Sequence, residues 1–62
     1  MSSKVLENAL NFIDRLEKAD IEKITQFERY AKKFLTNMLD AEEYGIVMNK
    51  IQMLMKRKKQ PD

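Results

Sequence analysis

The stretch LDAEEY, residues 39–44, decides where the last helix of this chain begins. An aspartate at the N-cap can accept a hydrogen bond from the amide of Glu43, and the Glu43 side chain can return one to the amide of Asp40, as in a capping box. Leu39 and Tyr44 occupy the N′ and N4 positions, where two apolar side chains form a hydrophobic staple. The stretch therefore predicts a helix that begins immediately after Asp40.

This helix is predicted to cover about residues 41–58, ahead of Pro61, and to carry two apolar faces of unequal width. The broad face follows the three- and four-residue spacing of an amphipathic helix and consists of Tyr44, Val47, Met48, Ile51, Leu54 and Met55. Ile46 and Met53 lie off that face and suggest a second, narrower one. Since methionine is favoured on adaptable binding surfaces, the second face is a candidate interface.

Gly45 falls within the second turn of the same helix, where glycine costs about 1 kcal/mol relative to alanine. We expect it to mark a point of tight packing. The alternative is that Gly45 caps an extended second helix.

Upstream of Asp40, a second apolar series predicts a helix over residues 21–38 with Asp20 as its N-cap. The series alternates strictly between spacings of three and four, which is typical of a coiled-coil seam. Its members are Ile24, Phe27, Ala31, Phe34 and Met38, with Tyr30 and Leu35 widening the face.

A first helix is predicted over residues 4–18, capped by Ser2 or Ser3. Its apolar residues repeat at three and four and indicate a broad face toward the core. They are Val5, Leu6, Ala9, Leu10, Phe12, Ile13 and Leu16.

No helix breaker separates the first two helices, so a single continuous rod is the alternative to two helices. Extending the register of the seam backward would place Glu17 and Asp20 on the buried face. Because buried, unpaired carboxylates are costly, a bend near residues 19–20 is favoured.

With one glycine and one proline, the 62-residue composition predicts an all-α protein: a small three-helix bundle, or a helical hairpin with an additional helix. We expect a single domain over residues 1–59 and a disordered tail at 60–62. A chain this short forms a small core, and the absence of cysteine and histidine excludes disulfides and the preferred zinc ligands. Self-association, with a dimer as first choice, is therefore predicted through Phe27, Ala31 and Phe34 or through the third helix.

Charge is distributed unevenly, with −2 over residues 1–49 and +4 over residues 50–62. Only the basic end would attract a phosphate backbone. The first residues lack the apolar core of a secretory signal, and no apolar run is long enough for a membrane helix, so we expect a cytoplasmic protein without membrane contact.

Catalysis is not expected, because histidine and cysteine are absent and the carboxylates fall on polar helix faces. A single glycine cannot build a phosphate-binding loop, and we expect no cofactor and no metal. Four of the five aromatic residues are predicted to lie on the core faces, and Tyr30 at their edge, so that they would not stack on bases; the four are Phe12, Phe27, Phe34 and Tyr44.

These exclusions favour a small regulatory or adaptor protein, an inhibitor or modulator of a larger protein of the kind that bacteria or phages encode. Its protein partner would contact the narrow face of the third helix, at Ile46, Lys50, Met53 and Arg57, or as second choice Tyr30 and Lys33. The alternative is a dimeric nucleic-acid-binding regulator that contacts phosphates through Lys50, Lys56, Arg57, Lys58 and Lys59. Stabilisation of the helix end also accounts for the last four cations, since their charge opposes the negative end of the helix dipole.

Overall fold

Three helices form the part of the chain that the computed structural model describes, residues 3–59. Helix α1 is Lys4–Leu16 and helix α3 is Ala41–Lys59. Between them, an α-helical stretch (Ile21–Tyr30), a π-helical stretch (Ala31–Leu35) and a short α-helical turn (Thr36–Met38) follow one another without interruption, and together they are called α2. The predicted all-α class is confirmed. The predicted disordered tail at 60–62 and the alternative cap at Ser2 lie outside the described residues.

Side-chain caps start the first two helices, as the sequence predicts. The hydroxyl of Ser3 accepts a hydrogen bond from the amide of Leu6 at 3.0 Å. A carboxylate oxygen of Asp20 accepts one from the amide of Lys23 at 3.3 Å. Residues 17–20 form the turn between the two helices, so the single continuous rod does not form.

The capping box at the start of α3 is confirmed in both directions. The Glu43 amide donates to Oδ1 of Asp40 at 2.8 Å, and the Asp40 amide donates to Oε1 of Glu43 at 3.4 Å. Leu39 is buried and Tyr44 is partly buried against the core, as a hydrophobic staple requires. These contacts fix the direction in which α3 leaves the end of α2.

The core lies where α3 packs against α1 and α2, and it contains only apolar side chains among the described residues. The largest fully buried side chains are Ile13, Ile24, Val47 and Ile51. Tyr44, Met48 and Met55 pack partly buried around them, so the broad face predicted for α3 is confirmed. The bundle measures 39 × 20 × 15 Å.

The predicted seam of α2 is wrong in its second half. Phe34 and Met38 are 47% and 56% exposed, whereas Leu35 and Leu39 are buried at 3% and 7%. The cause is the π-helical stretch, because a π turn takes up one residue more than an α turn and rotates everything that follows about the helix axis. The rotation turns the leucines inward and turns Phe34 and Met38 toward solvent.

Both interpretations of Gly45 are also wrong. It lies inside α3 and does not cap the preceding helix. A Cβ built on Gly45 would meet no atom within 4 Å, so no neighbour packs closely enough to require glycine there.

Candidate binding groove

An apolar groove of about 500 Å³ opens between α1 and α2. The two helices are held together mainly through α3, and on the side away from α3 their facing side chains remain accessible to solvent. We call this surface the aromatic groove. It is lined by Val5, Asn8, Ala9 and Phe12 from α1 and by Phe27, Tyr30, Leu35 and Met38 from α2.

Four aromatic rings form a continuous series, of which the first three line this groove and the fourth, Phe34, lies beside Tyr30. The ring centroids of Phe12 and Phe27 lie 4.9 Å apart across the two helices. Along α2, the centroids of Phe27 and Tyr30 lie 5.8 Å apart and those of Tyr30 and Phe34 lie 5.1 Å apart. Each pair falls within the range in which aromatic rings attract one another.

The prediction that the aromatic residues belong to the core is wrong for Phe12 and Phe34, which are 45% and 47% exposed. Tyr30, predicted at the edge of the core face, is 44% exposed, while Phe27 and Tyr44 are partly buried. Single exposed apolar side chains are common, but a contiguous patch on a soluble protein marks a binding surface. The groove is therefore the strongest candidate site on the described surface.

The π-helical stretch also separates the residues predicted for self-association. Ala31 is fully buried in the core, so it is not on the surface that a second copy could contact. Phe34 and part of Phe27 remain on the groove side of α2. Tyr30 and Lys33, the second-choice partner residues, lie on this side as well, with the Lys33 ammonium 5.6 Å from the centroid of the Phe34 ring.

The sequence did not predict Leu35 and Met38 as groove residues, nor Val5 and Asn8 on the α1 side of the groove. For the α2 side, one pattern in the sequence could have indicated it. Leu35 and Leu39 follow the buried Ala31 at successive spacings of four, which is an aliphatic series that competes with the aromatic one.

The narrow face of α3 presents the first-choice partner residues. Ile46 and Met53 are 46% and 56% exposed, as their position off the broad face predicts. Lys50 and Arg57 flank a smaller hollow of about 230 Å³ on the side where α3 meets α1.

Both of these cations bind carboxylates, one in α1 and one directly after it. The ammonium of Lys50 lies 2.7 Å from Oδ1 of Asp14, and the guanidinium of Arg57 lies 3.1 Å from Oε1 of Glu17. Two of the five cations predicted to contact phosphates thus form ion pairs within the molecule, and a phosphate would have to compete with these carboxylates for them. Because the side chains of both pairs are largely exposed, the competition is weak.

The remaining cations of the basic end, Lys56, Lys58 and Lys59, are exposed on the last turns of α3. The helix continues through Lys59, so these side chains oppose the negative end of its dipole. That stabilising role requires no ligand.

Within residues 3–59, no three acidic side chains lie close enough together to hold a metal ion. No helix in the same range has the length and apolar composition that crossing a bilayer requires. Comparison of the chain with protein-family models, with curated proteins and with solved structures gives no match.

Proposed function

We propose that this protein is a small non-enzymatic binding module that regulates or adapts a larger protein by direct contact, and that the aromatic groove is its contact surface. The supporting observation is the exposure of Phe12, Tyr30 and Met38 around one concave apolar surface, with the exposed Phe34 ring beside Tyr30. Binding sites are typically concave and mostly apolar, with aromatic residues providing much of the energy.

The apolar lining of the groove favours contact with apolar side chains of a protein. Val5 lines it with aliphatic carbon, and the buried Ala9 and Leu35 form its floor.

Two methionines provide a matched test of this proposal. Met38 lies at the groove and Met53 lies on the narrow face of α3, and both are 56% exposed. Helical peptides selected from a display library of unbiased charge would be titrated against the unmodified protein, Met38→Asp and Met53→Asp, with folding checked by circular dichroism. Isotope-labelled protein would locate the bound peptide by NMR.

We expect Met38→Asp to weaken binding about tenfold or more, because a charge would be desolvated in the contact, and Met53→Asp to change it less than about twofold. Chemical-shift changes should concentrate on the groove residues of α1 and α2. If Met53→Asp is the variant that weakens binding, the contact surface is the narrow face of α3 and our choice of groove is wrong. Failure to select any binder would contradict the proposal as a whole.

A further inference from the structure

We infer that the occupant of the aromatic groove is an amphipathic helix of another protein whose apolar stripe is flanked by acidic residues. This inference rests on the proposed function and adds the chemistry of the partner. It derives from two properties of the groove: its length along α1 and the sign of every charge at its edge within α1 and α2.

The length of the groove suits two turns of a partner helix. Its α1 wall extends from Val5 to Phe12, seven residues apart and hence about 10 Å along the helix axis. Apolar anchors at i, i+4 and i+7 of a bound helix span the same distance, and this is the spacing with which amphipathic helices bind apolar grooves.

Within α1 and α2, the charged residues three or four positions from a lining residue are all cations. Lys4 and Arg15 lie one helical turn from the lining residues Asn8 and Phe12, and both are exposed. No aspartate or glutamate of α1 occupies a position three or four residues from a lining residue.

Along α2, too, the charged residues one turn from the groove lining are cations. Lys23 lies one turn before Phe27, and Lys33 lies one turn after Tyr30 beside the Phe34 ring. Lys32, near Leu35, instead approaches Glu28 at 3.9 Å. We call the four groove-side cations the basic rim: Lys4, Arg15, Lys23 and Lys33.

Two carboxylates at the end of α1 face α3. Asp14, and Glu17 directly after the helix, bind Lys50 and Arg57 of α3. A chain with a formal charge of only +2 therefore has cations alone at the positions of α1 and α2 that lie one turn from the groove lining.

The basic rim also argues against a second copy of this chain as the occupant. In a two-fold symmetric dimer the same patch faces itself, so cations would meet cations across the interface. Like charges placed across an interface cost free energy and suppress that pairing, whereas glutamates flanking the apolar stripe of another helix would pair with the rim.

Three synthetic helical peptides of about 15 residues test this inference. They share apolar anchors at i, i+4 and i+7 and carry glutamate, glutamine or lysine at the flanking positions. Fluorescence anisotropy would give their dissociation constants at low and at physiological salt. We expect the acidic peptide to bind about tenfold more tightly than the basic one, with the difference shrinking as salt screens the rim.

A pair of charge-reversed variants makes the test specific to the rim. One is Arg15→Glu/Lys23→Glu/Lys33→Glu, and the matched control is Lys56→Glu/Lys58→Glu/Lys59→Glu. Each changes the formal charge from +2 to −4, since three reversals remove six units. We expect the rim variant to prefer the basic peptide and the control to retain the order of the unmodified protein.

The outcomes separate this inference from the proposed function. Equal binding of all three peptides, abolished by Met38→Asp, would overturn the acidic partner while leaving the groove as a protein-binding site. A reversed order in the control variant alone would assign the selection to the basic end of α3 and overturn the inference.

Binding of no peptide would overturn both, and sedimentation would then show whether a second copy fills the groove. Tight binding of an oligouridine or of phosphatidylserine vesicles, lost on Met38→Asp and accompanied by no peptide binding, would likewise replace the helix as the occupant.

Discussion

The rings of Phe12 on α1 and Phe27 on α2 lie with their centroids 4.9 Å apart and their planes at 31°. Within residues 3–59 this is the only aromatic pair that joins the two helices. Both rings also line the aromatic groove. One contact therefore contributes to stability and shapes the candidate binding surface at the same time.

Because of this contact, truncating the two rings should have coupled effects on stability. We expect a double-mutant cycle with Phe12→Ala and Phe27→Ala to give a coupling energy of about 0.5–1.5 kcal/mol. Urea unfolding followed by circular dichroism measures the four free energies of unfolding. Strict additivity would mean that the two rings contact each other too weakly to hold α1 beside α2.

The register of α2 is tested by two adjacent residues. Leu35→Ala removes a side chain that is 3% exposed and should cost about 2–5 kcal/mol, enough to unfold much of so small a domain. Phe34→Ala should cost about 1 kcal/mol or less, since that ring is 47% exposed. Thermal unfolding of both variants makes the comparison, and a larger loss from Phe34→Ala would restore the heptad seam and contradict the π-helical register.

Removal of the capping carboxylate should weaken the start of α3. Asp40→Ala leaves the Glu43 amide without its 2.8 Å acceptor, and we expect it to lower the free energy of unfolding by about 1 kcal/mol. Asp40→Asn is the matched control, because asparagine caps helices about as well as aspartate. The urea midpoints of the two variants give the change in stability. An equal loss of stability in both would show that the charge of Asp40, and not its capping hydrogen bond, stabilises the helix start.

Replacement of Gly45 should stabilise the protein. Its Cβ position is open and its backbone is helical, so Gly45→Ala should raise the free energy of unfolding by about 0.5–1 kcal/mol. Differential scanning calorimetry would record a higher melting temperature. A lower melting temperature would mean that this face of α3 packs against something in solution, such as another copy of the chain.

Local features of the fold are predictable from the sequence because each depends on residues within one turn. The three caps, at Ser3, Asp20 and Asp40, need only a side chain and an amide three residues on, and the sequence contains both. The broad face of α3 is equally local, since the narrow apolar series of Ile46 and Met53 is too sparse to compete with it.

The face of α2 is not predictable in this way because two apolar series overlap on it. Both pass through Ile24 and Ala31, and then one continues to Phe34 and the other to Leu35. Helical propensity does not distinguish them, and the choice follows from how α2 packs on α3. The α2 wall of the aromatic groove depends on that choice, and so the sequence alone placed Phe34 in the core.

The π-helical stretch Ala31–Leu35 has a consequence for how the chain accommodates changes in length. A π turn holds one residue more than an α turn, so deletion of the exposed Lys32 would leave a regular α-helix that still directs Leu35 and Leu39 inward. The same deletion at Gln26, in regular α-helix, would rotate the aromatic residues away from α1. The π-helical stretch is thus a site where the protein can lose one amino acid and still keep the same residues of α2 in the core and the same residues at the surface.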